Sequence, residues 1–170
     1  MRKIIFSVIT LVFAYTVHAQ NNSGDIDTIP PYKKDPNVPP FQILQADSSW
    51  YGKNDLPENK PVLIVYFNPE CGHCQLIAKE FGKEIDQFRD LEMVWASYQK
   101  PAEIDSFAHE YKLSGFPNVH FGRDTRYYIP VFYKIRFTPF MAAYNRKGKL
   151  LEVWDEGTIP EKVLKAYEKE

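Results

Sequence analysis

The chain has 170 residues, 44% hydrophobic and 25% charged, the profile of one ordinary globular domain with a real core. A formal net charge of -1 leaves no basic surface for nucleic acid. Its two cysteines, Cys71 and Cys74, form one motif, so there is no separate structural bridge and no internal electron relay.

Residues 1–19 read as a signal peptide. Arg2 and Lys3 form the positive n-region, and Ile4 to Val17 is a 14-residue, mostly apolar h-region. That run is short for a membrane span, which needs about 20 residues. Val17-His18-Ala19 fits a signal-peptidase site, with cleavage expected after Ala19. An uncleaved anchor is the alternative, and it is the one route by which this chain would touch a membrane. Without Arg2 and Lys3 the chain keeps 19 basic and 22 acidic residues, a net charge of -3.

Residues 20–40 are polar and carry five prolines (Pro30, Pro31, Pro36, Pro39 and Pro40), which predicts a flexible tether. Residues 41–170 read as a single α/β domain. Weak strands are expected over Phe41–Ala46 and near Trp50. Val62–Phe67 is too continuously apolar to have a wet face and predicts a strand buried on both sides. Cys71 to about Phe88 predicts a helix, with Leu76, Ile77, Phe81, Ile85 and Phe88 at helical spacing. A strand over Leu91–Ser97 follows, and then a helix opened by Pro101 and running to Leu113. Asn118–Phe121 predicts a short strand and Pro130–Ile135 a short helix. Phe140–Tyr144 and Leu150–Trp154 predict a hairpin turning through Asn145-Arg146-Lys147-Gly148. Pro160 opens a last helix to about Lys169. Trp50, Trp95 and Trp154 read as core. So does the aromatic group Tyr127, Tyr128, Phe132, Tyr133 and Phe137, which otherwise offers an apolar platform for partner proteins.

Cys71-Gly72-His73-Cys74 stands at the junction of a buried strand and a helix, a place to make and break one disulfide. Cys71 is expected at the helix N-terminus, where unpaired N–H groups and the helix dipole favour a thiolate. A protonated His73 adds to that effect, and Glu70 opposes it weakly. Cys74 follows by one helical turn, within reach of Cys71. A zinc site lacks ligands, because His109 and His120 have no paired spacing. Haem attachment needs His where Gln75 stands. A thiolate pair can also hold Cu(I), so a non-catalytic copper-binding or maturation module remains an alternative.

The strand Val62–Phe67, the Cys71-Gly72-His73-Cys74 helix and Thr138-Pro139 before a hairpin together resemble the thioredoxin superfamily. The resemblance implies a central mixed sheet flanked by helices, and a cis Pro139 facing the disulfide. It also implies that the backbone of Thr138 pairs with extended substrate. Cys74 and Pro139 are 65 residues apart, leaving room for a helix–strand insertion at about Pro101–Phe121. With the signal peptide and the Pro-Pro-Phe-Gln-Ile-Leu entry at Pro39–Leu44, this is similar to TlpA/ResA-like exported thiol–disulfide oxidoreductases. The implied function is reduction of disulfides in exported proteins, with the periplasm as the implied compartment, no cofactor, and an external redox partner that resets the pair. The sequence departs from the family at Gly72-His73, which matches protein disulfide isomerases and favours an oxidase or isomerase. It also departs at Glu70, at Val65 and at Ile77, so no acidic proton acceptor for Cys74 is evident.

Overall fold

The computed structural model describes residues 29–168. The expected signal peptide and the first part of the expected tether lie outside the described residues. The elements run α1 (Pro31–Lys34), β1 (Gln42–Leu44), β2 (Trp50–Gly52), β3 (Val62–Tyr66), α2 (Gly72–Glu84), β4 (Glu92–Ser97), α3 (Pro101–Glu110), β5 (Val119–Arg123), α4 (Tyr128–Tyr133), β6 (Phe140–Tyr144), β7 (Leu150–Trp154) and α5 (Pro160–Tyr167). Short 3-10 turns follow β2 (Lys53–Asp55) and α2 (Ile85–Phe88).

The strands form one mixed sheet in the order β2-β1-β5-β4-β3-β6-β7. β3, β4 and β5 are parallel neighbours, while β6 runs antiparallel to β3 and pairs with β7 as a hairpin. Every residue of β3 is buried, as its unbroken apolar run predicts. The alternation of a strand divides that run between two cores. Leu63, Val65 and Phe67 pack with Cys74, Ile77 and Phe81 of α2, with Ile104 and Phe107 of α3 and with Val163 of α5. Val62, Ile64 and Tyr66 pack on the other face with Ile129, Phe132 and Tyr133 of α4, and with Val38 and Phe41. Each large apolar side chain so buried contributes roughly 1.5–3 kcal/mol. α3 and β5 occupy the expected insertion, and β5 lies between β4 and β1.

Several expectations change. The tether reading fails over residues 31–40, because that stretch is folded onto the domain. The Val38 N–H donates to the Gly148 carbonyl at 2.9 Å and the Leu150 N–H to the Pro36 carbonyl at 2.7 Å, with Val38 and Pro39 buried. Trp50 is not core: it faces outward from edge strand β2 and is half exposed. Leu76 is 65% exposed, because it lies off the buried α2 stripe of Cys74, Ile77, Ala78 and Phe81. α4 starts at Tyr128, ahead of Pro130, because Asp124 caps it. The buried Asp124 carboxylate accepts from the Arg126, Tyr128 and Ile129 backbone N–H groups. The aromatic group divides: Phe132 and Tyr133 are core, while Tyr127 and Phe137 are exposed.

Candidate active site

β3 ends at Tyr66, and the chain turns through Asn68-Pro69-Glu70 into α2. The turn is held locally. The Asn68 carbonyl accepts from the Cys71 N–H at 3.0 Å, and the Asn68 side-chain oxygen accepts from the Glu70 N–H at 3.1 Å. The Gln75 side-chain amide donates to the Pro69 carbonyl at 2.8 Å. Cys71 is then the residue flanking the helix start, in extended conformation (φ -81, ψ 115), and its carbonyl accepts from the Gln75 N–H at 3.0 Å. No side-chain capping bond closes this end of α2. Its first N–H groups are therefore left to act on the thiol beside them.

The two thiols are free, and their environments differ. Cys71 is half-buried, and burial alone would disfavour its thiolate. Hydrogen bonds from the Cys74 backbone and thiol, from the Thr138 side chain and from the His73 backbone outweigh that and lower its pKa. Cys74 is fully buried among apolar side chains of the α2 core. Burial pushes its pKa up to about 12, with the neighbouring Cys71 adding to the rise and the Asn68 backbone and Thr138 opposing it. Cys71 is thus the accessible, anion-stabilised thiol, and Cys74 is the protonated thiol beneath it.

The expected partner segment is in place. The Thr138-Pro139 peptide is cis, and the Cys71 thiol donates to the Thr138 carbonyl at 3.4 Å. Glu70, Gly72 and His73 are exposed around the sulfurs. His73 acts on Cys71 through its backbone N–H, whereas the sequence pointed to its ring.

Two residues at the site escaped sequence reasoning. Gly157 has φ +71, and a Cβ there would stand 2.7 Å from Pro139 Cγ and 2.9 Å from Ile77 Cδ1. It supports Pro139 from behind. Asn68 supplies the backbone contact to Cys74 and links through its side chain to the Tyr98 hydroxyl at 3.3 Å. Asn68-Pro69 was visible as a turn signal; Gly157 looked like any turn glycine.

The thioredoxin family model matches residues 43–142, more than half of the chain. Protein disulfide-isomerase A5 of Mus musculus is 25% identical over 114 residues, covering 62% of this chain and 22% of that protein. The chain therefore spans about a fifth of that relative's length. Among solved structures, a secreted Mycobacterium tuberculosis disulfide oxidoreductase homologous to E. coli DsbE superposes with a TM-score of 0.61 at 16% identity, covering 74% of this chain and 93% of that one. DsbF of the same organism gives 0.61 at 18% identity, covering 76% and 96%. At these identities the two structures share the fold. Family match and motif geometry agree: this chain belongs to the thioredoxin family and carries the paired thiols of a thiol–disulfide oxidoreductase.

Proposed function

We propose that the protein is an exported thiol–disulfide oxidoreductase that reduces disulfides in exported proteins. The observation carrying the redox assignment is the asymmetry of the thiols: Cys71 half-buried with a lowered pKa, Cys74 buried with a raised one. The Cys71 thiolate attacks one sulfur of a substrate disulfide. The substrate S–S bond breaks, a Cys71–substrate disulfide forms and the first substrate sulfur leaves as a thiolate. Cys74 then loses its proton and attacks the Cys71 sulfur, releasing the second substrate thiolate. Two electrons pass to the substrate, two protons complete its thiols, and Cys71–Cys74 ends oxidised. Thr138 positions the substrate backbone beside Cys71.

Export rests on the signal-like residues 1–19, and the secreted description of one structural neighbour agrees with it. Among the described residues no helix is long and apolar enough to cross a membrane. The reductive direction rests on the resemblance to TlpA/ResA-like proteins, which the α3–β5 insertion supports.

A second reading, disulfide oxidase or isomerase, is favoured by Gly72-His73 and by the hydrogen bonds that stabilise the reduced Cys71. The reduction potential separates the two. Equilibration in graded glutathione buffers, followed by alkylation and mass measurement, reads it directly. A value near that of thioredoxin, about -270 mV, supports the reductase; a value of about -180 to -120 mV supports the second reading. Stoichiometric Cu(I) retention with no disulfide exchange would replace both by the copper-binding module.

A further inference from the structure

A groove of about 800 Å³ runs from Gly72 along the outward face of α2 to the end of α3. Gly72, Leu76, Lys79 and Lys83 line one side of it. These residues recur at helical spacing and share one face of α2. Tyr111 and Lys112 line the other side. The two sides are fixed against each other. A Cβ on Gly82 would lie 2.0 Å from the Tyr111 carbonyl oxygen, so the backbones touch there and only glycine fits.

Near the thiols the lining is Gly72, Gln75 and the apolar Leu76, and beyond them it is positive. Leu76 is exposed one turn from Gly72. Three lysines, Lys79, Lys83 and Lys112, stand against one carboxylate, Glu110. Lys83 is engaged by Glu80 at 2.6 Å, and Glu110 is hydrogen-bonded to Tyr111. Lys79 and Lys112 are exposed, and neither forms an ion pair with a carboxylate among the described residues. This local excess of positive charge stands out on a chain whose net charge is -1.

We propose that this groove docks the polypeptide segment next to the substrate's disulfide, and that it selects a segment with an apolar residue followed by acidic ones. The proposal rests on the thiol–disulfide reading above. Lys79 lies seven residues beyond Gly72, about 10 Å along the helix axis. An extended peptide covers that distance in about three residues. The substrate's acidic residues therefore fall about three positions from its reactive cysteine, with the apolar one between them over Leu76. Opposite charges at this range raise the encounter rate and lose their effect as salt screens them.

The test uses synthetic peptides that each hold one disulfide and a neighbouring leucine, flanked by aspartates, lysines or serines. Hydroxyethyl disulfide serves as an uncharged substrate too small to fill the groove. The full chain is expected to reduce the aspartate peptide about tenfold faster than the lysine peptide at low salt, with the gap closing at high salt. In the Lys79→Glu/Lys112→Glu variant the order reverses. Equal rates for the two charged peptides, with hydroxyethyl disulfide still reduced, would overturn the docking proposal and leave the redox reading standing. So would a preference that survives in the variant. A self-associated protein that the variant returns to monomer in sedimentation would assign the groove to a second copy of the chain and also overturn the proposal. Failure to reduce any of the disulfides would sink the redox reading, and the docking proposal with it.

Discussion

The Cys71 thiol and the Thr138 carbonyl oxygen are 3.4 Å apart, although 67 residues separate them in the chain. The more accessible of the two sulfurs is thereby held beside the backbone segment proposed above to align an extended substrate. Any sulfur presented by a strand paired to Thr138 arrives next to Cys71 and not next to the buried Cys74.

Removal of each cysteine should therefore have a different result. Cys71→Ser loses at least about a thousandfold in exchange rate, because no other thiol is accessible. Cys74→Ser keeps the first attack but cannot resolve it, and accumulates a covalent Cys71–substrate adduct. Intact-mass measurement after mixing with a disulfide peptide checks this. An adduct on Cys74 in the Cys71→Ser variant would reverse the assigned roles.

The same asymmetry predicts an alkaline weakness confined to the reduced protein. An unfolded thiol ionises near 8.5, whereas folded Cys74 holds its proton up to about 12. Between these values the unfolded state binds fewer protons, so stability falls as pH rises. Cys71 has the opposite sign. Its lowered pKa adds stability that is fully present above the unfolded value, so its contribution is constant in this window. The melting temperature of the reduced form should thus fall relative to the oxidised form from about pH 8.5 upward. Parallel melting curves for the two forms would show that Cys74 is not held protonated.

Gly157→Val tests the support behind Pro139. The left-handed backbone at φ +71 costs a side-chain-bearing residue roughly 1–2 kcal/mol, and the new Cβ presses on Pro139 and Ile77. Melting temperature should fall, and exchange should slow by about ten- to a hundredfold as Pro139 is displaced from Cys71. A lower melting temperature with unchanged exchange would mean that Pro139 holds its place without Gly157.

Glu92 marks a polar knot at the end of β4 away from the thiols. Its buried carboxylate accepts from the Tyr51 hydroxyl at 2.9 Å, contacts His120 Nε2 at 2.7 Å and lies 3.8 Å from Lys60 Nζ. Burial opposes its charge, but these partners outweigh burial and lower its pKa. The stability it contributes is present above the unfolded glutamate value, about 4.3, and is lost as pH falls through the folded one. Glu92→Gln should cost about 2 kcal/mol at neutral pH and progressively less in acid. A stability difference that does not change with pH would remove the charge from the explanation.

Most of the fold was legible because its signals are local. The apolar run of β3, the period of α2 and the Asn145–Gly148 turn each declare themselves within a few residues. The thiols and Thr138-Pro139 were legible for the same reason. What escaped depends on pairing across the chain. Residues 31–40 look like a tether until Pro36 and Val38 meet Leu150 and Gly148, more than a hundred residues away. Trp50 is exposed because its strand is an edge, which composition does not reveal. Leu76 satisfies helical spacing yet faces outward, because only the sheet's position decides which stripe of α2 is covered.

The folded residues 31–40 also bear on how this protein avoids its own kind. β7 is an outer strand of the sheet, and an outer strand leaves a row of backbone groups open to any extended chain, including a second copy. Asn37 bridges to Lys149 just before β7, and Pro36 takes up the Leu150 N–H at its first residue. The chain's own entry segment thus occupies the start of that row. One open margin of the sheet is thereby partly closed to other extended chains by the protein's own residues 36 and 37.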